Sequence, residues 1–485
     1  MENKVNTNKL FKKLWYCASI IEKDFEKGIT DDVRQITTFF EYHICAHGLS
    51  MLINTFENNT DSLGFEISIR TIIESLAILK ALNEKELSEK QIALLIYTGL
   101  VADIESIRIL YNFTKEEGFA NYSLDSKKQS IKNVANLLNV SESEAEVLLT
   151  TDLFSFLKFN EKNLGRTVSE FIKKELGEEC KEIRDFCGLG VHPRFYSPET
   201  YEEMHKRRIE YAEDIYYILD YHFDNVVMDE KKAISYQKYK EKYISQENIS
   251  FINRIKRQFK NSFKNNPGSL DCCSYSFKRI RDLLVDSLLL EELPFFDIGV
   301  SRFKTVFEYS AMLYFIKDKE TEDCWKFLSD YKANYFLKNH PQSDELDTVA
   351  ISTKFRFKLN LPLEEIKKNL LRNDLYFLEG RKMRYMPFVK NASDALLKNL
   401  AFEVNCGFDI LKPEDYEYFY SMYKSSLNET HPHLGFVKNI TKSRTSVHCL
   451  ANYIFVTYVY TFGKNNRMFL LLLELSQGKD IWKLS

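Results

Sequence analysis

Two short stretches each place a basic and an acidic side chain one helical turn apart. Residues 70–80 read RTIIESLAILK and residues 304–314 read KTVFEYSAMLY, so Arg70 precedes Glu74, and Lys304 precedes Glu308, by four positions. On a helix that spacing puts both partners on one face, where they can pair. A second matched feature is a histidine followed by proline: His192 in CGLGVHPRF (187–195) and His431 in SLNETHPHL (426–434). Imidazole titrates near neutral pH and can donate to, or accept from, a carboxylic group. Gathered in a cleft, such a basic–acidic–imidazole cluster could bind phosphate or move protons. Gathered in a core, the same groups would form a satisfied network that fixes helix register. The first set is richer in arginine, with Arg70, Arg184 and Arg194, whereas the second has Lys304 and carries His433 where the first has Arg194. Guanidinium forks bind phosphate in a bidentate way, while an ammonium is a point charge. Any phosphate chemistry is therefore expected in the first half, with the second serving as a degenerate pairing domain.

Other histidines carry weaker signals. His43 and His47 in FFEYHICAHGL have metal-ligand spacing, with Glu41 and Cys45 near them, but no H-E-x-x-H is present, and they read as ordinary polar-face residues. Arg444 and His448 lie four apart, and His340 reads as a loop residue. Phosphate-loop, dinucleotide, nucleophile-elbow and zinc-type patterns are all missing, which argues against P-loop hydrolysis and nicotinamide redox chemistry. Tyrosines 211, 216, 217 and 221, and again 453, 458 and 460, recur at spacings that suit a core or a domain interface.

The elements that must position these groups read as helices. Apolar periodicity marks Ile67–Leu82, Ile92–Leu110, Lys127–Leu138, Glu142–Leu149, Tyr201–Val226 and Leu361–Leu371. Ser141 followed by Glu144 is a capping-box pattern, and Pro198 with Thr200 opens the helix beginning near 201. The pair of helices around Asn139 reads as helix packing, because SESEAEVLL is too acidic to read DNA. From Lys231 to Lys264 there are ten Lys and Arg against two Glu, and the stretch closes in NNPGS. That is a boundary signal, read as a solvated inter-domain helix or a strip that contacts a phosphate backbone. The 70–80 and 304–314 stretches match at a shift of 234, the His-Pro stretches at a shift of 239. Two matches in the same order predict a tandem duplication: 1–230 as the first helical domain, 231–270 as a basic linker or bridging helix, and 271–485 as the second.

Composition agrees with an all-α fold of two similar helical bundles. The 485 residues include only 16 Gly and 9 Pro, too few for the frequent turns of a large β architecture. Aromatic residues make up 14%, which excludes a disordered chain. The net charge of −3 gives no global nucleic-acid signature, although a local patch remains compatible with it. Nine cysteines without any C-x-x-C are expected to be reduced thiols in a cytoplasmic protein. Met468–Leu473, the strongest apolar run, reads as a buried element rather than a membrane span.

The R-T-x-x-E-S-x-A helix, with a corner ending in His-Pro some 110 residues later, resembles a group of bacterial all-helical domains. That group looks related to abortive-infection and HEPN-type proteins of phage defence. The resemblance covers about 20 residues in each half and implies a defence or stress effector that binds or cleaves RNA without metal or other cofactor. Many such proteins use R-x(4–6)-H; here seven residues separate Arg184 from His192, and six separate Lys424 from His431. The resemblance implies His192, Arg184 and His431 as catalytic groups, with Arg70, Glu74, Arg194, Lys304 and Glu308 at the substrate. It points to RNA or a phage or host protein as partner, to no membrane, and leaves homo-oligomerisation open. The alternative is a non-catalytic helical scaffold or sensor whose Arg/Glu/His clusters are structural.

Overall fold

The computed structural model describes residues 5–27, 32–84, 124–150, 168–191, 198–264, 272–291, 293, 298–316, 450, 451, 453–455, 457, 458, 461 and 467–476. Among the described residues there is helix and no strand, so this part of the chain is all-α. The expected helices at 92–110 and 361–371 lie outside the described residues.

Thr7–Lys27 (α1) turns Leu10, Phe11, Leu14, Ala18 and Ile21 to one side, an apolar stripe at helical spacing. That stripe lies on Asp32–Phe56 (α2), which folds back as a hairpin onto Leu63–Glu84 (α3). The turn between them holds Asn58 at φ 51°, a left-handed conformation that asparagine tolerates. Helix α3 is buried on every face from Leu63 to Leu79, because its apolar residues run all the way round. Each fully buried Ile or Leu on it contributes about 1.5–3 kcal/mol.

Leu124–Leu138 (α4) and Glu142–Thr150 (α5) form a pair, and the expected capping box is there. Ser141 donates its backbone N–H to Glu144 Oε2 at 3.0 Å, and the Glu144 N–H donates to Ser141 Oγ at 3.2 Å. Val168–Leu176 (α6) and Glu178–Val191 (α7) pack on each other and on α3. Between them Gly177 sits at φ 98°, where a side chain would be strained. Pro198–His222 (α8) begins in the proline-tolerant first turn and stops four residues short of the expected Val226. Its last turn tightens through a bond from Asp224 N–H to Tyr221 C=O at 3.1 Å.

The basic stretch is structured as Tyr236–Tyr243 (α9) and Gln246–Lys264 (α10), each with a buried face. Tyr236 and Tyr239 of α9 pack on Phe11 at 5.6 and 5.8 Å. Cys272–Leu290 (α11) and Ile298–Ile316 (α12) form a second hairpin, on which helical residues 453–455, 457 and 458 lie through Tyr453 and Tyr458. Arg467–Ser476 (α13) buries Met468, Leu471, Leu472 and Leu475 and packs on α10.

The two hairpins echo each other. Phe56 and Leu290, which end α2 and α11, lie 234 positions apart, and Leu63 and Ile298, which begin α3 and α12, lie 235 apart. The neighbours recur too: α1 packs on α2 and α9, and α10 packs on α11 and α13. The hairpins meet where α11 packs on α2 and α3.

Candidate functional site

Helix α3 brings Arg70 and Glu74 to one face, and α7 brings Arg184 to the same carboxylate. Arg70 Nε donates to Glu74 Oε1 at 3.0 Å. Arg184 donates to that oxygen from Nε at 3.1 Å and from a terminal nitrogen at 2.9 Å. The carboxylate of Glu74 is 0% exposed and Arg184 is 14% exposed. Arg184 also reaches Ser169 Oγ at 3.4 Å and Asp185 Oδ1 at 3.3 Å, and Ser169 donates to Asp185 at 2.5 Å. The structure thus joins Arg184 to the Arg70–Glu74 pair, 110 positions from Glu74 in sequence.

The matched pair on α12 is close by. Lys304 is buried, and that burial lowers the proton affinity of its ammonium. The charges acting on it are Glu308 on its own helix and Arg70 and Glu74 of α3, the carboxylates favouring the proton and the guanidinium opposing it. Glu308 is buried as well. His192, Arg194 and His431 lie outside the described residues, as do Lys424, Arg444, His448, His340 and His433.

A second charged network, which the sequence reading did not single out, fills the seam between the hairpins. Asp286 of α11 accepts from Arg302 Nε at 2.6 Å and also from Asn54 Nδ2. The same guanidinium donates to Ser50 Oγ at 3.0 Å, Ser68 Oγ at 3.1 Å and the Gly64 carbonyl at 3.1 Å. A Cβ on Gly64 would sit 2.1 Å from Asp286 Oδ2, so only glycine lets α3 come this close. Nearby, Glu66 accepts from Arg208 Nε at 2.7 Å, and Arg279 lies 3.8 Å away. These charges are affordable in a dry interior because each is matched by an opposite charge and by hydrogen bonds. One signal for them was available: an acid or base isolated in an apolar run, such as Asp286 in LLVDSLLL or Glu66 in LGFEISI.

His43 and His47 are not polar-face residues, since α2 is enclosed and both are buried, their rings stacked at 6.1 Å. His47 Nδ1 lies 3.2 Å from Ser68 Oγ. Burial, the Arg302 charge and His43 together hold the His47 imidazole well below its usual range, so it is neutral. Among the described residues no group of His, Cys, Asp and Glu could hold a metal ion. Cys187, five positions before His192, is buried, which pushes its thiol up and leaves it a poor nucleophile. The tyrosines divide: Tyr216 is buried with its hydroxyl 2.6 Å from Thr55 Oγ1, whereas Tyr217 and Tyr221 are 64% and 78% exposed.

No helix among the described residues is long and apolar enough to cross a membrane. Chemically, the arrangement around Glu74 is a neutralised ion cluster with one arginine at its edge. No known protein family matches the chain, and neither does any curated protein or solved structure.

Proposed function

We propose that this protein is a non-catalytic helical scaffold or sensor, built from a duplicated helical domain, whose Arg/Glu clusters set how its halves pack. The observation that carries this reading is Glu74. Its carboxylate is fully buried and already accepts from both Arg70 and Arg184, so it is committed to holding α3 against α7 rather than to moving protons. Lys304, buried beside the same residues, extends the cluster toward the second hairpin. The duplication draws on the shift near 234 that recurs in both hairpins and on the repeated order of neighbours.

A second reading, an RNA-binding or RNA-cleaving defence effector resembling HEPN-type proteins, draws on the position of Arg184. Its guanidinium is at the partly exposed edge of the cluster, on a helix that ends one residue before His192. Expression in a bacterial host separates the two. The scaffold reading expects growth and intact total RNA from the wild type and from His192→Ala with His431→Ala alike. RNA breakdown with the wild type, relieved in the double variant, would replace it with the effector reading.

A further inference from the structure

The basic stretch that the scaffold reading leaves unused forms an outward face. Residues 231–264 carry ten Lys and Arg against two Glu. Burial sorts the six at 238, 240, 242, 254, 256 and 257 into two rows. The inner row bonds Glu57 at the end of α2: Lys240 Nζ contacts its Oε1 and Lys256 Nζ reaches its backbone carbonyl at 3.4 Å. The outer row is exposed: Lys238 and Lys242 on α9, and Arg254 and Arg257 on α10. Two of these are propped on rings, with Lys242 Nζ 4.9 Å from the centroid of Tyr243 and the Arg254 guanidinium 5.4 Å from that of Phe251. Such cation–π contacts attract a cation to the face of a ring.

The helices beneath are anchored. Tyr239 donates its hydroxyl to the Leu289 carbonyl at 3.2 Å, and Asn248 Nδ2 donates to the Leu288 carbonyl at 3.1 Å. Ser235 caps α9. The apolar side of α10, with Phe251, Ile252 and Ile255, is already buried. Among the described residues, the large exposed apolar side chains are Ile20, Ile209, Tyr217, Tyr221, Val227 and Leu470, none on α9 or α10. A membrane-surface helix needs an outward apolar face, and a protein interface needs an apolar centre. Among the described residues this face offers neither; its exposed charged side chains are Lys238, Lys242, Arg254 and Arg257, with Glu241 and Glu247 beside them.

We propose that the outer face of α9 and α10 binds the phosphodiester backbone of a nucleic acid, through Lys238, Lys242, Arg254 and Arg257. The rings of Tyr243 and Phe251 lie under cations, so the contact reads charge and not bases. Binding is expected to be independent of sequence and steeply dependent on salt. This inference goes beyond the scaffold reading and uses none of the residues around Glu74.

The test uses the full chain, short labelled RNA and DNA strands of mixed sequence, and phosphatidylcholine–phosphatidylserine vesicles. Fluorescence anisotropy is followed between about 50 and 200 mM salt. The wild type should bind RNA, DNA or both, with affinity falling linearly in a log–log plot. Lys238→Glu with Arg257→Glu should lower the slope by about 1.4, at roughly 0.7 per lost contact on a single strand. Lys128→Glu with Lys132→Glu, exposed on α4, should change nothing. If the first pair loses helicity by circular dichroism, Lys238→Gln with Arg257→Gln gives the same reading. No binding to either strand at the lowest salt overturns the proposal. So does a slope unchanged in the Lys238/Arg257 variant, or capture of the vesicles but not the strands.

Discussion

On α3, Arg70 donates a directed bond to Glu74 and a second arginine arrives from α7; on α12, the matched position holds Lys304, buried and with a weakened hold on its proton. Both helices carry a basic residue four before a glutamate, yet only the arginines can stay charged in a dry interior while making several directed bonds. The comparison teaches that a repeated charge pattern does not imply a repeated role. The first copy locks helices together through a fully occupied carboxylate. The second tolerates a cation that burial works against.

The largest expected effect tests the lock. Glu74→Ala leaves Arg70 and Arg184 facing one another without their shared carboxylate, and should cost about 3–5 kcal/mol, seen as a fall in the urea midpoint by far-ultraviolet circular dichroism. A wild-type midpoint in that variant would remove the distinction between the two helices. At the seam, Gly64→Ala should cost about 1–3 kcal/mol by forcing Asp286 away from Arg302, and differential scanning calorimetry would register it.

Exchanging the basic residue sharpens the contrast. Arg70→Lys keeps the charge but loses the planar donor set, and a loss of about 1 kcal/mol in the same urea titration is expected. The smallest effect belongs to Lys304→Met combined with Glu308→Leu, which should lie within about 1 kcal/mol of wild type near neutrality, because both buried charges are replaced by apolar chains of similar size. Its signature is pH. Burial lowers the folded-state affinity of Lys304 for its proton below the ordinary value of 10.5, so the unfolded chain binds more protons in the interval below 10.5. Wild-type stability should therefore gain a rising contribution as pH climbs through that interval, and the double variant should lack it. Parallel pH profiles for the two proteins would show that Lys304 is not the buried cation described.

Local patterns were legible where they depend on neighbours in sequence. Ser141 and Glu144 form the capping box their spacing predicts, and Met468, Leu471 and Leu472 of the apolar run are buried while Leu470 is exposed. Arg70 and Glu74 pair as a four-residue spacing on one helix requires. The surroundings of those residues were not legible. His43 and His47 read as a polar edge, but α1 and α3 enclose α2 and strip the water from both. Tyr216, Tyr217 and Tyr221 read alike as core or domain-interface residues, and only the fold separates them, with Tyr217 and Tyr221 turned outward while Tyr216 faces Thr55.

The sequence alone determined that this chain is helical, where several helices start, and that two stretches share a charge pattern. Those properties follow from backbone propensity, caps and periodicity, all of which act within a few residues. Only the tertiary structure decided that Arg184 joins Arg70 on Glu74 across 110 positions, and that Asp286 and Arg302 sit at a dry seam against Gly64. It also separated the partly buried Lys240 and Lys256, bonded to Glu57, from the exposed Lys238, Lys242, Arg254 and Arg257. Whether a charge is spent inside or offered to solvent depends on burial, and burial is a property of the packed helices rather than of any one segment.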